Sequence, residues 1–259
     1  MIDIGISTSN FYPLPPEDAL ALLGTLDART AEIFVNTRSE ASPAFAHLLK
    51  ERAAAAGVSI RSLHSYTSAY EGNLLFSLYE RRFEDGLEVF KEMYEAAAIC
   101  GASFVVLHGD KETGVLPPEE HARRYEKLFD LGQTFGVTLL QENVVKFRAA
   151  SPDFVRSMRH LLGDKAQFVL DLKQCRRTGV PFKEMLDAMA GAVRHVHVSD
   201  GNVARDCIPP GTGDEDFENI FTKLKDSGFD GVAIIELYRA GFKEPDELRQ
   251  SAAYLRSLL

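Results

Sequence analysis

At 259 residues the chain has the length of one large domain, and its net charge of −9 supplies no general basic surface for a nucleic-acid backbone. A content of 45% hydrophobic and 26% charged residues excludes a disordered chain, a collagen-like repeat and a disulfide-dense secreted domain. The three cysteines, Cys100, Cys175 and Cys207, are too scattered for a disulfide framework or a CxxC metal site. No apolar run approaches the roughly 20 residues that cross a bilayer. The first residues, Met1-Ile2-Asp3-Ile4-Gly5-Ile6, lack the basic-then-apolar order of a signal peptide. The expectation is a cytoplasmic protein with reduced thiols and no membrane or nucleic-acid partner.

Along the chain, short runs rich in Ile and Val alternate with longer segments of helical period. The runs are residues 2–6, 31–35, 59–63, 104–107, 138–141, 168–170, 193–198 and 232–235. Their near-continuous apolarity predicts strands buried on both faces, as in a parallel sheet. Proline punctuates the starts of the intervening helices, at Pro15-Pro16, Pro43, Pro117-Pro118, Pro181 and Pro245. Glycines at 57, 101, 136 and 231 precede strands, where a helix must stop and the chain turn back. Residues 82–100 form the clearest amphipathic helix, with Phe83, Leu87, Phe90, Met93, Tyr94 and Ala97 on one face. Eight strand–helix units predict a single (β/α)8 TIM barrel over residues 1–259. A doubly wound sheet is the competitor, and the GxGxxG turn that often follows its first strand is missing.

In such a barrel the chemistry sits at the carboxyl ends of the strands. Strand three ends in His64, strand four in His108, strand five in Glu142 and strand six in Asp171; strand seven contains His197, and strand eight ends in Glu236. Each has an ordinary structural reading by itself: a hydrogen-bonded histidine, or a carboxylate capping the next helix. Six in register are hard to assign to packing. Three carboxylates at one rim repel one another, and a divalent cation removes that cost. With one imidazole, Glu142, Asp171, His197 and Glu236 form an oxygen-rich ligand set suited to one Mn²⁺ or Mg²⁺, with Zn²⁺ or Co²⁺ as alternatives. His195 lies two residues before His197, on the same side of the strand but deeper, and reads as a polar core residue.

These positions resemble the xylose isomerase-like TIM-barrel superfamily, in particular its sugar (and sugar-phosphate) isomerase/epimerase branch. The resemblance spans essentially the whole chain. It is carried by Gly231-Val232-Ala233-Ile234-Ile235-Glu236, His195-Val196-His197-Val198-Ser199-Asp200 and Pro209-Pro210-Gly211-Thr212-Gly213-Asp214. It implies that Glu142, Asp171, His197 and Glu236 bind one metal and that Glu142 and Glu236 act as acid and base on opposite faces of a substrate. It also implies substrate contacts from His64 and His108, and from Arg205 in the loop after strand seven. Apurinic endonucleases of the same superfamily need three further zinc ligands; here those positions hold Gln174, Arg205 and Cys207.

The expected activity is isomerisation or epimerisation of a sugar or keto-polyol. A metal stabilises the enediolate while one glutamate removes a proton beside the carbonyl and another group returns it. Loss of a β-hydroxyl from the same enediolate would make the protein a dehydratase of a keto-polyol or cyclic keto acid. A sugar-binding barrel without catalysis is a third reading. Lys173 and Arg205 offer cationic hydrogen bonds to a sugar, or are solvated rim charges. Phe11, Tyr12 and Tyr66 cover either a sugar face or the barrel core. Missing a phosphate cradle, the chain reads as acting on an unphosphorylated sugar. General symmetry leaves room for a homo-oligomer.

Overall fold

Eight parallel strands close into a barrel in strict chain order, β1 pairing with β8 from Asp3↔Val232 to Ile6↔Ile235. The computed structural model describes residues 2–259. The strands are β1 (Asp3–Ser7), β2 (Thr30–Phe34), β3 (Ser59–His64), β4 (Phe104–Leu107), β5 (Thr138–Glu142), β6 (Phe168–Asp171), β7 (Val193–Val198) and β8 (Val232–Ile235). Around them run α1 (Pro16–Thr25), α2 (Pro43–Ala56), the single turn α3 (Glu71–Leu74), α4 (Glu80–Cys100), α5 (Pro118–Gln133), α6 (Pro152–Leu162), α7 (Leu172–Thr178), α8 (Phe182–Met189), α9 (Phe217–Asp226) and α10 (Asp246–Ser257).

The punctuation works as the residue types dictate. Ser42 and Ser151 each accept a hydrogen bond from a backbone amide of the helix they cap, and Pro43 and Pro152 follow in the first turn. At Gly101 the chain leaves α4 with φ +77°, a left-handed conformation that costs a residue with a Cβ about 1 kcal/mol or more. Gly231 departs from the expected pattern: it lies beyond the end of α9, and a Cβ there would sit 2.7 Å from the Arg194 carbonyl oxygen. The expected helix after β6 is also two helices, because Asp171 caps α7 directly by accepting the Gln174 amide.

Most of the core lies between strands and helices. Inside the barrel the apolar filling is a small cluster of Phe104, Val106, Leu140 and Val169. The interior space beside it is polar, occupied by Glu32, Ser62 and His195, all buried. Two register shifts arrange this. Between β2 and β3, Ala31 pairs with Ile60 but Glu32 with Ser62, leaving Arg61 as the extra residue. Between β6 and β7, Phe168 pairs with Val193 but Val169 with His195, leaving Arg194 extra and bringing Asp171 beside His197. Such bulges re-aim the side chains that follow them. Among the described residues, no helix is long and apolar enough to cross a membrane.

One buried histidine outside the barrel makes the fold acid-sensitive. His121 of α5 is stacked on Phe76 (4.3 Å between centroids) and meets the edge of Phe154. Burial, assisted by the Arg148 and Arg124 charges, lowers it from 6.5 to about 3. Below pH 6.5 the unfolded chain takes a proton that the folded chain refuses. The contribution of His121 to stability therefore falls as pH drops, by about 1.4 kcal/mol per unit until about pH 3. Urea denaturation of the wild type and His121→Phe should show the wild type losing about 2 kcal/mol more than the variant between pH 6.5 and pH 5. Parallel pH profiles would remove His121 as the cause.

Candidate active site

The strand ends converge on one point. One ligand atom each from Glu142, Asp171, His197 and Glu236 lies within 4.8 Å of the others. His197 Nδ1 stands 3.6 Å from Glu142 Oε1, 3.8 Å from Asp171 Oδ2 and 3.6 Å from Glu236 Oε2. All four side chains are buried, and Glu142 Oε2, Asp171 Oδ2 and His197 Nδ1 have no hydrogen-bond partner of good geometry. Asp171 Oδ2 and His197 Nδ1, left without such partners and converging with an oxygen each from Glu142 and Glu236, fit a divalent cation with oxygen and imidazole ligands.

The backbone on either side of two of these residues is clamped by an asparagine amide. Asn143 donates to the Asp171 carbonyl (3.1 Å) and accepts from the Asp171 amide (2.7 Å). Asn10 donates to the Ile235 carbonyl (3.0 Å) and accepts from the Leu237 amide (2.6 Å), bracketing Glu236. Glu71, fully buried on α3, accepts from the amides of His108 and Gly109 and so fixes the end of β4. None of the three stood out in the sequence, although Asn143 directly follows a ligand candidate.

Lys173 occupies a place the sequence did not indicate. Its ammonium lies 2.8 Å from Glu236 Oε2 and 3.3 Å from Asp171 Oδ2, so it neutralises two of the three converging carboxylates while also lining the cavity above them. Burial raises the Glu236 carboxyl, but Lys173 and His197 outweigh it and hold the group below the usual range. For Asp171 burial dominates; Glu142 and Glu236 add to it, Lys173 opposes, and the group rises to about 6. Glu142 is held well down against its burial by His108, His197 and His64.

His64 and His108 stand on the other side of Glu142. Their Nε2 atoms are 3.0 Å apart and lie 3.5 and 3.2 Å from Glu142 Oε2, with Phe34 stacked on His64 at 4.6 Å. Above this floor opens a cavity of about 450 Å³, in the size range of small-molecule sites. Tyr12, Phe34, Leu237 and Tyr238 give it an aromatic and apolar side; Lys173, Gln174, Asn36 and Ser9 supply polar groups.

The loop after β7 is organised by Asp200, whose buried carboxylate accepts from the amides of Gly201, Gly211, Gly213 and Glu215. A Cβ on Gly213 would lie 2.3 Å from Asp200 Oδ1, which is why glycine stands there. The same loop carries Arg205 away from the cavity. Its guanidinium is exposed and donates to the Gly241 carbonyl, beside a separate depression lined by Cys207 and Tyr238. Arg239, in the turn after β8, lines the cavity instead. Of the aromatic candidates, Tyr12 lines the cavity, Phe11 is buried against Phe242, and Tyr66 packs half-buried on the core.

Below the floor lies Glu32. It is buried in β2 and accepts through Oε2 from Ser62 (2.8 Å), His195 (3.1 Å) and His197 (3.2 Å). Against its burial, His197 and His195 hold its carboxyl well below the ordinary range. The visible signal was a lone acid inside an apolar run, which a strand buried on both faces tolerates only with partners.

The family profile described as xylose isomerase-like TIM barrel matches residues 20–258, and the chain belongs to that family. No curated protein sequence matches it. Among solved structures, it is similar to 3-keto-D-glucoside 4-epimerase from E. coli (17% identity, 99% of this chain and 100% of that one, TM-score 0.79). It is similar to an L-ribulose 3-epimerase (18% identity, 100% and 94%, TM-score 0.79). It is also similar to D-psicose 3-epimerase from Clostridium cellulolyticum H10 (12% identity, 99% and 97%, TM-score 0.77). At these identities the likeness is one of fold.

Replacing Lys173 by Met should leave two buried carboxylates without their cation. Breaking a buried pair on one side costs about 3–5 kcal/mol. The metal-free variant should therefore melt several degrees below the wild type in a thermal scan. An unchanged melting temperature would mean that the ammonium contributes nothing to holding these groups together.

Proposed function

We propose that this protein is a divalent-metal-dependent isomerase or epimerase of a sugar or keto-polyol, with Glu142 and Glu236 as its acid/base pair and Glu142, Asp171, His197 and Glu236 as its metal ligands. The observation that carries the reading is the four-residue convergence, with His197 Nδ1 nearly equidistant from three carboxylates at the floor of a cavity. Sugar epimerases among the structures of the same fold support the reaction class.

When bound, a divalent ion would supply electrophilic stabilisation of the negative charge that develops on oxygen as the neighbouring carbon loses its proton. The protein's own groups do the rest. Glu142 and Glu236 both reach the cavity and both are held ionised, so either can accept a carbon-bound proton. For epimerisation the other glutamate takes up a proton from solvent through the open cavity and delivers it to the opposite face; for isomerisation the glutamate that accepted the proton returns it to the adjacent carbon. Lys173 lies beside Glu236 and within reach of a substrate oxygen. His64 and His108 border Glu142 and offer imidazole hydrogen bonds to sugar hydroxyls, orienting the carbon to be deprotonated. The missing zinc ligands and the acidic charge weigh against an endonuclease.

Incubation of Mn²⁺-loaded protein with a panel of ketoses in D₂O should place deuterium on a carbon beside the carbonyl without loss of water. Glu142→Gln and Glu236→Gln should each lower the exchange rate by at least about 10²-fold. A dehydrated product would make the protein a dehydratase. Undiminished turnover in Glu236→Gln would refute the acid/base assignment.

A further inference from the structure

We propose that Glu32 is a positioning residue for this site: its carboxylate fixes the ring orientation and tautomer of His197, so that Nδ1 faces the three carboxylates as a lone-pair donor. A carboxylate can only accept when ionised, so the nitrogen it contacts must carry the hydrogen. That nitrogen is His197 Nε2, 3.2 Å from Glu32 Oε2. The other nitrogen, Nδ1, is left without a hydrogen-bond partner and points to the centre of Glu142, Asp171 and Glu236.

Glu32 is itself held. The oxygen that meets His197 also accepts from Ser62 Oγ of the adjacent strand and from His195 Nε2, one layer below His197 on β7. The register shift between Ala31 and Glu32 sets Glu32 opposite Ser62. A side chain from β2 thus reaches through the barrel interior to β7 and orients a ring there. His195 takes a defined part in this arrangement: it is a second imidazole donor that keeps the Glu32 carboxylate from swinging away. An apolar residue at 32 would pack, but it would strand both Nε2–H groups in a water-free interior. Carboxylates that receive the second nitrogen of a ligating histidine typically contribute 10–100-fold to metal affinity, which sets the expected size of the effect.

This inference rests on the reading that His197 ligates a metal, and the test separates the two. Calorimetric titration of the metal-free protein with Mn²⁺ should show Glu32→Gln binding about 10–100-fold more weakly than wild type. Glu32→Asp, a shorter carboxylate, should fall between them, and Ser62→Ala, which removes one donor and leaves His197 untouched, should lose less than Glu32→Gln. In the metal-free protein, at a pH where the ring is neutral, imidazole ¹⁵N NMR should show His197 protonated at Nε2 in the wild type and a mixture of the two tautomers in Glu32→Gln, where no carboxylate selects one. If Glu32→Gln fails to fold, as judged by circular dichroism of the metal-free form, the aspartate and Ser62→Ala variants carry the same comparison. Wild-type binding that none of these substitutions weakens would remove the role of Glu32 and leave the proposed function standing. A wild type that binds no divalent ion would take down both.

Discussion

Everything at the mouth of this barrel follows from one electrostatic constraint, the burial of four carboxylates in a small volume. Glu32, Glu142, Asp171 and Glu236 are all buried, and their mutual repulsion is strong where water is excluded. The chain meets this with fixed partners rather than with solvent. Lys173 bridges Asp171 and Glu236, His64 and His108 flank Glu142, and His195 serves Glu32. His197 stands at the junction, one nitrogen toward Glu32 and the other toward the remaining three. Even so paired, an oxygen from each of Glu142, Asp171 and Glu236 still converges on His197 Nδ1, the arrangement a cation site requires.

The barrel is well suited to such a constraint because each strand delivers its terminal side chain along a fixed direction. A closed eight-strand sheet lets residues far apart in sequence approach within hydrogen-bonding range while their backbones stay fully paired. The polar layer is then tuned by small departures from regularity. Bulges at Arg61 and Arg194 shift what faces the interior, and asparagine amides at 10 and 143 tie the backbone on either side of Glu236 and Asp171.

The strands were legible in the sequence because burial on both faces leaves a continuous apolar run. β4, β7 and β8 have the expected limits to the residue, and the other expected strands differ only at their ends. The barrel, and the residues at its carboxyl rim, followed from order and spacing alone. What escaped notice depended on direction and distance. Glu32 sat inside a run counted as apolar, and only the closed barrel, which brings its Oε2 to 3.2 Å from His197 Nε2 on β7, shows that the two meet. Lys173 read as a cation for a sugar or a rim charge; its position in the first turn of α7 sets it against two carboxylates while it also lines the cavity. Arg205 was expected at the substrate, but loop conformation decides where a long side chain goes. There Asp200 gathers four backbone amides and turns the guanidinium to Gly241.

The buried titratable groups and the outer wall of the cavity therefore occupy physically different parts of the molecule. The titratable groups stand on strand ends and are locked by hydrogen bonds within the barrel. The side chains that give the cavity its outer shape, Tyr12, Tyr238 and Arg239, stand on turns after β1 and β8, and all three are exposed. Residues on such turns can change without disturbing the buried charges, because no strand pairing depends on them. Under the proposed function, the β1 and β8 turns would shape the wall that meets the outer part of a substrate, and proton transfer would fall to the strand ends beneath them.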